Sequence, residues 1–503
     1  MRPGWCAAAA LVMAWQAGAA DVISYARSGD RLVFTLDSGE ADIEWSSGST
    51  FRFRHAFAGH LAQEPAAERE AVDPKVDDVG GELVFSTRYL TVSVRKRGLA
   101  VRVRKADGTR VFEDLSAPEY RDGAVRVERA AAPRVALYGL GPRVDEGFDA
   151  RGKIVRAGVP LLLSTAGYGE YFRNPAAYTF DLMHPDRYFV EARGAGLLDY
   201  WFTYGPAPKD IFEDLHTVGV EVAAPAPAPT AGTWEGLGQA LLRTLHGSLS
   251  GLTRPLFVET AFREAPVELR QRAEQLASIM TPGKRPELGP YFIAYRQEVR
   301  DRGLGPIRAM PYQFPDDPEA AKHSDQFMFG DELLAAPMLV PGERRNVYLP
   351  RGIWTRLETN EVFKGRQTVE IAAGEPALFA RNGSIVPLEY NGVIELHYFP
   401  RLGGEFFLYD DDSAEYSEIH AAPAGDIVRL QIESARNREY CWVVHHVNRP
   451  ATVGFEGHGY QEAAGKSALR HETWLYDAAA RRLLVRVRVA AGEDRIVNVT
   501  GGL

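Results

Sequence analysis

From Val22 to about Tyr204 the chain alternates apolar and polar positions in short runs, such as Arg31-Leu32-Val33-Phe34-Thr35-Leu36 and Leu90-Thr91-Val92-Ser93-Val94. Period-two alternation interrupted by turns such as Ala106-Asp107-Gly108-Thr109 predicts antiparallel strands, and many at close spacing predict a β-sandwich. Helical spacing first appears at Pro208 to His216 and stops near Gly219. The run Ala223-Ala224-Pro225-Ala226-Pro227-Ala228-Pro229-Thr230 follows, an extended stiff spacer by composition. Three helices are then predicted: one from Thr233 as N-cap to Leu245, one from Pro266 to Ile279, and one from Leu288 to Arg302, stopped by Gly303. From Leu333 the strand pattern returns and runs to the end, as in Asp426 to Ile432 and Leu483 to Val489. The order is all-β, a small helical middle, and all-β again.

Composition narrows the class. The chain has 503 residues, 45% hydrophobic and 25% charged, which fits several buried cores. With 58 basic against 67 acidic residues the net charge is −9, without the basic balance of a nucleic-acid binder. Arg2, an uncharged apolar run from Trp5 to Trp15 and the small residues Ala17-Gly18-Ala19-Ala20 predict a signal peptide over 1–20, and hence a secreted or periplasmic protein. The apolar run is shorter than the ~20 residues a membrane span needs, so no membrane association is expected after cleavage. Cys6 falls in that leader, which leaves Cys441, in a strand-like run, as the single thiol of the mature chain and excludes an internal disulfide.

Ordered motifs carry a more specific message. Pro160-Leu161-Leu162-Leu163-Ser164-Thr165-Ala166-Gly167-Tyr168-Gly169 and the run from Leu198 through Tyr204 to Ile211 lie in the first half. Gly305-Pro306-Ile307-Arg308-Ala309-Met310, Phe314-Pro315-Asp316-Asp317, and Gln326-Phe327-Met328-Phe329-Gly330-Asp331-Glu332-Leu333-Leu334-Ala335-Ala336-Pro337 follow in the second. Arg381-Asn382-Gly383-Ser384-Ile385-Val386-Pro387 and Leu408-Tyr409-Asp410-Asp411-Asp412 complete the series. Together, in this order, they resemble glycoside hydrolase family 31, the α-glucosidases and α-xylosidases. The resemblance implies a mainly β protein with a small α/β middle. Its parts would be a galactose-mutarotase-like N-terminal β-sandwich over 21–220, the Ala/Pro linker over 221–232, a truncated (β/α)8-barrel remnant over 233–332, and two C-terminal β domains over 333–390 and 391–503.

Such a barrel typically needs ~250 residues and carries its active residues at the C-terminal ends of its strands, whereas only about 110 residues separate 220 from Gly330. A retaining glycosidase also needs two carboxyl groups ~5–5.5 Å apart, as nucleophile and acid/base. By resemblance, the strand that holds the family's nucleophilic Asp has no counterpart here. The acid/base position falls near Pro229 and Thr230, the sugar-holding Asp-Ile-Gly-Gly-Phe aligns with Val258-Glu259-Thr260-Ala261-Phe262, and the Arg-x-His falls in Gly283-Lys284-Arg285-Pro286. Each loss alone reduces rates by orders of magnitude.

Glu235, Glu259 and Glu264 are the carboxylates left near that remnant. Glu235 lies in a first helical turn, where the dipole favours an acid, and Glu259, beside Leu256-Phe257-Val258, is the weak catalytic candidate. Asp410-Asp411-Asp412 has the composition of a cation site but also of a turn. There is no dinucleotide fingerprint, phosphate loop or His-Glu-x-x-His, so neither cofactor nor metal is expected. The expected function is a family 31 homologue, inactive and at most carbohydrate-binding, with Tyr168, Tyr171, Phe172, Trp234 and Phe262 as sugar-contacting candidates and an α-linked oligosaccharide as ligand. Two alternatives stand beside it. One is an active α-glycosidase with recruited carboxylates. The other is an interaction protein that self-associates or pairs with a full-length paralogue through the strand edges of an open barrel.

Overall fold

The computed structural model describes residues 20–62, 72–226, 229–372, 377–410 and 413–502. The predicted leader lies outside the described residues apart from Ala20, as do Asp411 and Asp412. The described residues form two compact units: one within 20–135, 151–157 and 170–203, the other within 136–150, 158–169 and 204–502.

The first unit is built from antiparallel sheets. Val22–Ser28, Arg31–Leu36, Glu40–Trp45, Thr50–Ala56 and Leu197–Tyr204 are neighbours in one. Lys75–Val79, Glu82–Ser86, Leu90–Arg95, Val101–Lys105 and Arg110–Glu113 form a meander. The predicted alternation is realised there, because Leu90, Val92 and Val94 are buried while Thr91 and Ser93 are half-exposed. Other strands break the pattern with buried ions. The Arg52 guanidinium donates to both Asp199 oxygens at 2.7 and 2.6 Å, and Arg54 does the same to Asp42 at 3.0 and 2.6 Å.

His55 sits beside these pairs, buried, with its ring 4.0 Å from that of Phe57. Among the described residues neither of its ring nitrogens has a hydrogen-bond partner. Burial pushes its pKa down from 6.5 to about 4. A base with a lowered folded pKa is neutral when folded, so its contribution is intact above pH 6.5 and is lost as pH falls toward 4. A His55→Phe variant is expected to lose about 2 kcal/mol less stability than the parent between pH 7.5 and pH 5. Urea titrations at the two pH values measure this, and equal losses would refute it.

From Tyr204 onward the second unit continues with helices. These are α1 (Pro208–Thr217), α2 (Trp234–Ser248), α3 (Val267–Met280) and α4 (Gly289–Arg302). The Thr233 hydroxyl caps α2 by accepting from Gly236 N at 3.1 Å, and α4 ends on Gly303 in the left-handed region at φ 68°. Among the described residues no strand lies between Tyr204 and Ile307. The strands of the expected barrel remnant, Ile307–Ala309 and Phe327–Phe329, are antiparallel partners. They continue through Leu333–Ala336 and Ala377–Arg381 into Ile353–Arg356 and Val362–Lys364. Ile307–Ala309 is the edge of this sheet, with Phe327–Phe329 as its one strand partner among the described residues.

A core of Met310, Met328, Leu334, Trp354 and Phe379 supports that sheet. The unit also holds the antiparallel pair Arg344–Leu349 and Gln367–Ala372 and two six-stranded sheets, one beginning Ile385–Tyr390, Val393–Tyr398 and Arg438–His445, the other beginning Gly404–Tyr409, Tyr416–Ala424 and Ile427–Ser434. The protein is mainly β with few helices, as expected.

Candidate functional site

The turn after Phe327–Phe329 organises a cleft. Gly330 has φ 66°, and a Cβ there would lie 2.3 Å from the Tyr295 ring and 2.4 Å from the Tyr291 hydroxyl, so only glycine lets the turn close against α4. The turn delivers two adjacent carboxylates to opposite fates. Asp331 accepts from the Arg308 and Lys209 side chains and from Gln313 Nε2 at 2.9 Å. Burial pushes its pKa up, but the charges of Arg308 and Lys209 outweigh this and hold it below the usual range. Glu332 has no such cation bound. Its Oε2 accepts from the Tyr291 and Tyr295 hydroxyls at 2.7 and 2.6 Å. Burial, reinforced by the neighbouring Asp331 charge, raises Glu332 from 4.5 to about 7.

Arg308 ties the floor together. It is fully buried, donates to Glu298 Oε2 at 2.6 Å and to the Gly305 carbonyl at 2.8 Å, and lies over the Tyr295 ring at 5.3 Å. The opposite wall comes from the hairpin of Gly404–Tyr409 and Tyr416–Ala424. Period two points Phe406 and Leu408 inward and leaves Glu405 and Phe407 outward. Buried Phe406 stacks on Tyr291 at 5.9 Å, whereas Phe407 and Tyr416 remain 42% and 41% exposed, edge to face at 5.4 Å. Tyr409 adds a third ring 5.3 Å from Tyr416. The space enclosed is about 480 Å³. Exposed rings that share a cleft with carboxylates are groups that can hold a sugar, since rings meet its C–H face and carboxylates accept from its hydroxyls.

Residues 303–386 match the profile of the glycosyl hydrolase family 31 C-terminal domain. The chain is 30% identical over 144 residues to a 1,6-alpha-glucosyltransferase of Sporosarcina globispora, a match covering 25% of this chain and 11% of that protein. It is 30% identical over 150 residues to an alpha-glucosidase of Saccharolobus solfataricus, covering 30% and 20% of the two. The chain thus spans a tenth to a fifth of the length of these relatives. Its fold is similar to that of a GH31 dextranase from Flavobacterium johnsoniae, with TM-score 0.81 at 13% identity over 96% of this chain and 100% of that one. It is also similar to a cycloalternan-forming enzyme from Listeria monocytogenes, with TM-score 0.78 at 14% identity over 96% and 77%. The chain is thus similar to glycoside hydrolase family 31 members, in sequence over residues 303–386 and in fold over 96% of its length.

The residues that the family 31 resemblance singled out do not meet in the cleft. Tyr171 and Phe172 lie in the first unit, and Tyr168, Trp234, Glu259 and Phe262 in the second. Phe172 is buried against Tyr178 and Tyr200 at 5.3 and 5.8 Å, and Tyr168 is also buried. Phe262 is buried and stacks on Phe257 at 5.8 Å. Such rings have no free face to offer a sugar. Tyr171 and Trp234 are half-buried. Glu259 is ion-paired with Lys284 at 2.8 Å, and Glu235 accepts from Gln239 Nε2 at 2.9 Å. Asp410 is buried between Arg436 and Arg438, which supply the positive charge a cation would otherwise bring. Among the described residues no group of three or more His, Cys, Asp or Glu is placed to hold a metal. The sequence reading missed Phe407, Tyr416 and Glu332. The signal for the first two was the run Phe406-Phe407-Leu408-Tyr409 beside Tyr416, a strand with aromatics on both faces.

Proposed function

We propose that this chain is a family 31 homologue that binds an α-linked oligosaccharide in the Phe407–Tyr416 cleft and does not hydrolyse it. The observation that carries the binding is the exposed aromatic pair that lines one cleft with Glu332 and Glu298. The dextranase and the cycloalternan-forming enzyme of similar fold were solved with isomaltotriose and with a pentasaccharide substrate, which supports a glucan as the ligand class. Loss of hydrolysis is supported by the helices between Tyr204 and Ile307, a stretch in which no strand among the described residues is present to carry a nucleophile. Pro229 and Thr230 stand where the acid would be, and Glu259 is engaged by Lys284. The leader-like start favours an exported protein.

One observation favours residual catalysis: Glu332, with a pKa near 7, has the profile of a general acid. Its neighbour Asp331 is held by Arg308, Lys209 and Gln313 as a structural anion. Calorimetry with isomaltotriose is expected to show binding in the range of about 1 mM or tighter, with Phe407→Ala and Tyr416→Ala each weakening it about tenfold. Absence of heat, or binding indifferent to both variants, refutes the site. Release of glucose on prolonged incubation, abolished by Glu332→Gln, restores the enzyme reading.

A further inference from the structure

A second cleft, of about 470 Å³, shares no lining residue with the first. Three of its lining side chains are guanidinium groups, those of Arg351, Arg366 and Arg381. The backbone brings the first two together. Gly365 N donates to the Gly352 carbonyl at 2.8 Å and Arg366 N to the Leu349 carbonyl at 2.7 Å, which clamps the turn before Gln367–Ala372 onto the loop Pro350–Gly352. A Cβ at Gly365 would lie 1.9 Å from the Pro350 carbonyl oxygen, so the clamp depends on glycine there. Arg366 itself has φ 59°, a left-handed conformation that glycine adopts freely and that strains a long side chain's backbone. The position keeps a guanidinium in spite of that strain. Arg381 ends Ala377–Arg381 and lies 5.7 Å over the Phe314 ring, which restricts the plane of its guanidinium.

Two carboxylates, Asp316 and Asp317, line the cleft against these three guanidinium groups. Asp317 is engaged by the Tyr348 hydroxyl at 3.0 Å and by the Glu319 and Ala320 amides at 3.1 and 3.2 Å. Asp316 is exposed. Among the described residues no ion pair joins Arg351, Arg366 or Arg381 to a carboxylate. Guanidinium forks match the paired oxygens of carboxylate, sulfate and phosphate, and Phe314 adds an apolar wall. We infer that this cleft is a binding site for a small molecule that bears an oxyanion, separate from the sugar cleft.

Calorimetry of the full chain with inorganic phosphate, glucose 6-phosphate and glucuronate tests this. At least one anionic probe is expected to bind at about 1 mM or tighter. Glucose 6-phosphate or glucuronate binding above inorganic phosphate identifies a sugar-borne anion, and the reverse order a free one. Arg366→Gly relaxes the left-handed backbone, so it is expected to keep the melting temperature while weakening the anion about tenfold or more. Arg351→Gln is expected to act in the same direction without touching the turn. No heat with any anionic probe, or binding unchanged in both variants, overturns the inference.

Discussion

Replacing Arg129 with leucine is expected to cost the first unit about 3–5 kcal/mol, the cost of removing one partner from a buried ion cluster. Arg129 is fully buried, and its guanidinium contacts Asp114 and donates to Glu170 Oε1 at 2.8 Å, with both carboxylates also buried. Other donors already serve those acids. The Tyr188 hydroxyl donates to Glu170 Oε2 at 3.1 Å, and Val101 N donates to Asp114 Oδ2 at 2.7 Å. These neutral donors do not cancel two charges. The guanidinium also lies 4.7 and 5.0 Å from the Phe112 and Tyr200 rings, so its removal leaves a gap as well. Glu170→Gln added to Arg129→Leu is expected to restore part of the loss, because it removes one uncompensated charge from the same pocket. Denaturant midpoints of the parent, the single and the double variant decide the matter. A single-variant loss under about 1 kcal/mol would mean that water reaches the cluster and screens it.

That cluster also marks where the sequence stopped being readable. Leu90 to Val94 declared its strand, its faces and its core residues, because every second position was apolar and local spacing is all such a pattern needs. Thr233 and Gly303 likewise announced the start of α2 and the end of α4 through single-residue backbone chemistry. Arg52 and Arg54 alternate with Phe51 and Phe53, so the same rule faces them outward, yet both are buried, and Arg129, on the face of Val125 and Val127, is buried as a cation. Their partners Asp199, Asp42 and Glu170 lie 147, 12 and 41 residues away, so only the folded sheets reveal the pairing.

The candidate site divided along similar lines. Tyr168, Phe172 and Phe262 were singled out by residue type and place in the family pattern, which carry no information about exposure, and the fold buries all three. Phe407 and Tyr416 belong to a hairpin whose two faces are both aromatic, so periodicity could not say which face is wet. Asp331-Glu332 was visible as a family motif. The division of labour within it, one acid fixed by cations and the other held by two tyrosines, depends on side chains from α4 and α1.

Glu332→Gln is expected to stabilise the protein by about 3 kcal/mol at pH 8 and to leave it nearly unchanged near pH 4.5. The sign follows from an acid whose pKa is about 7 when folded against 4.5 when exposed. Between those values the folded state holds a proton that the unfolded chain has released, so the parent loses stability as pH rises from 4.5 to 7 and stays penalised above it. Glutamine cannot ionise, and its amide oxygen can accept from the Tyr291 and Tyr295 hydroxyls as Glu332 Oε2 does. The neutral side chain also removes the repulsion from Asp331, the second contribution to the raised pKa. Denaturant titrations of parent and variant at pH 5 and pH 8 should give converging stabilities at the lower pH and diverging ones at the higher. Equal differences at the two pH values would show that Glu332 ionises normally, and would remove the ground for treating it as a proton donor to a bound sugar.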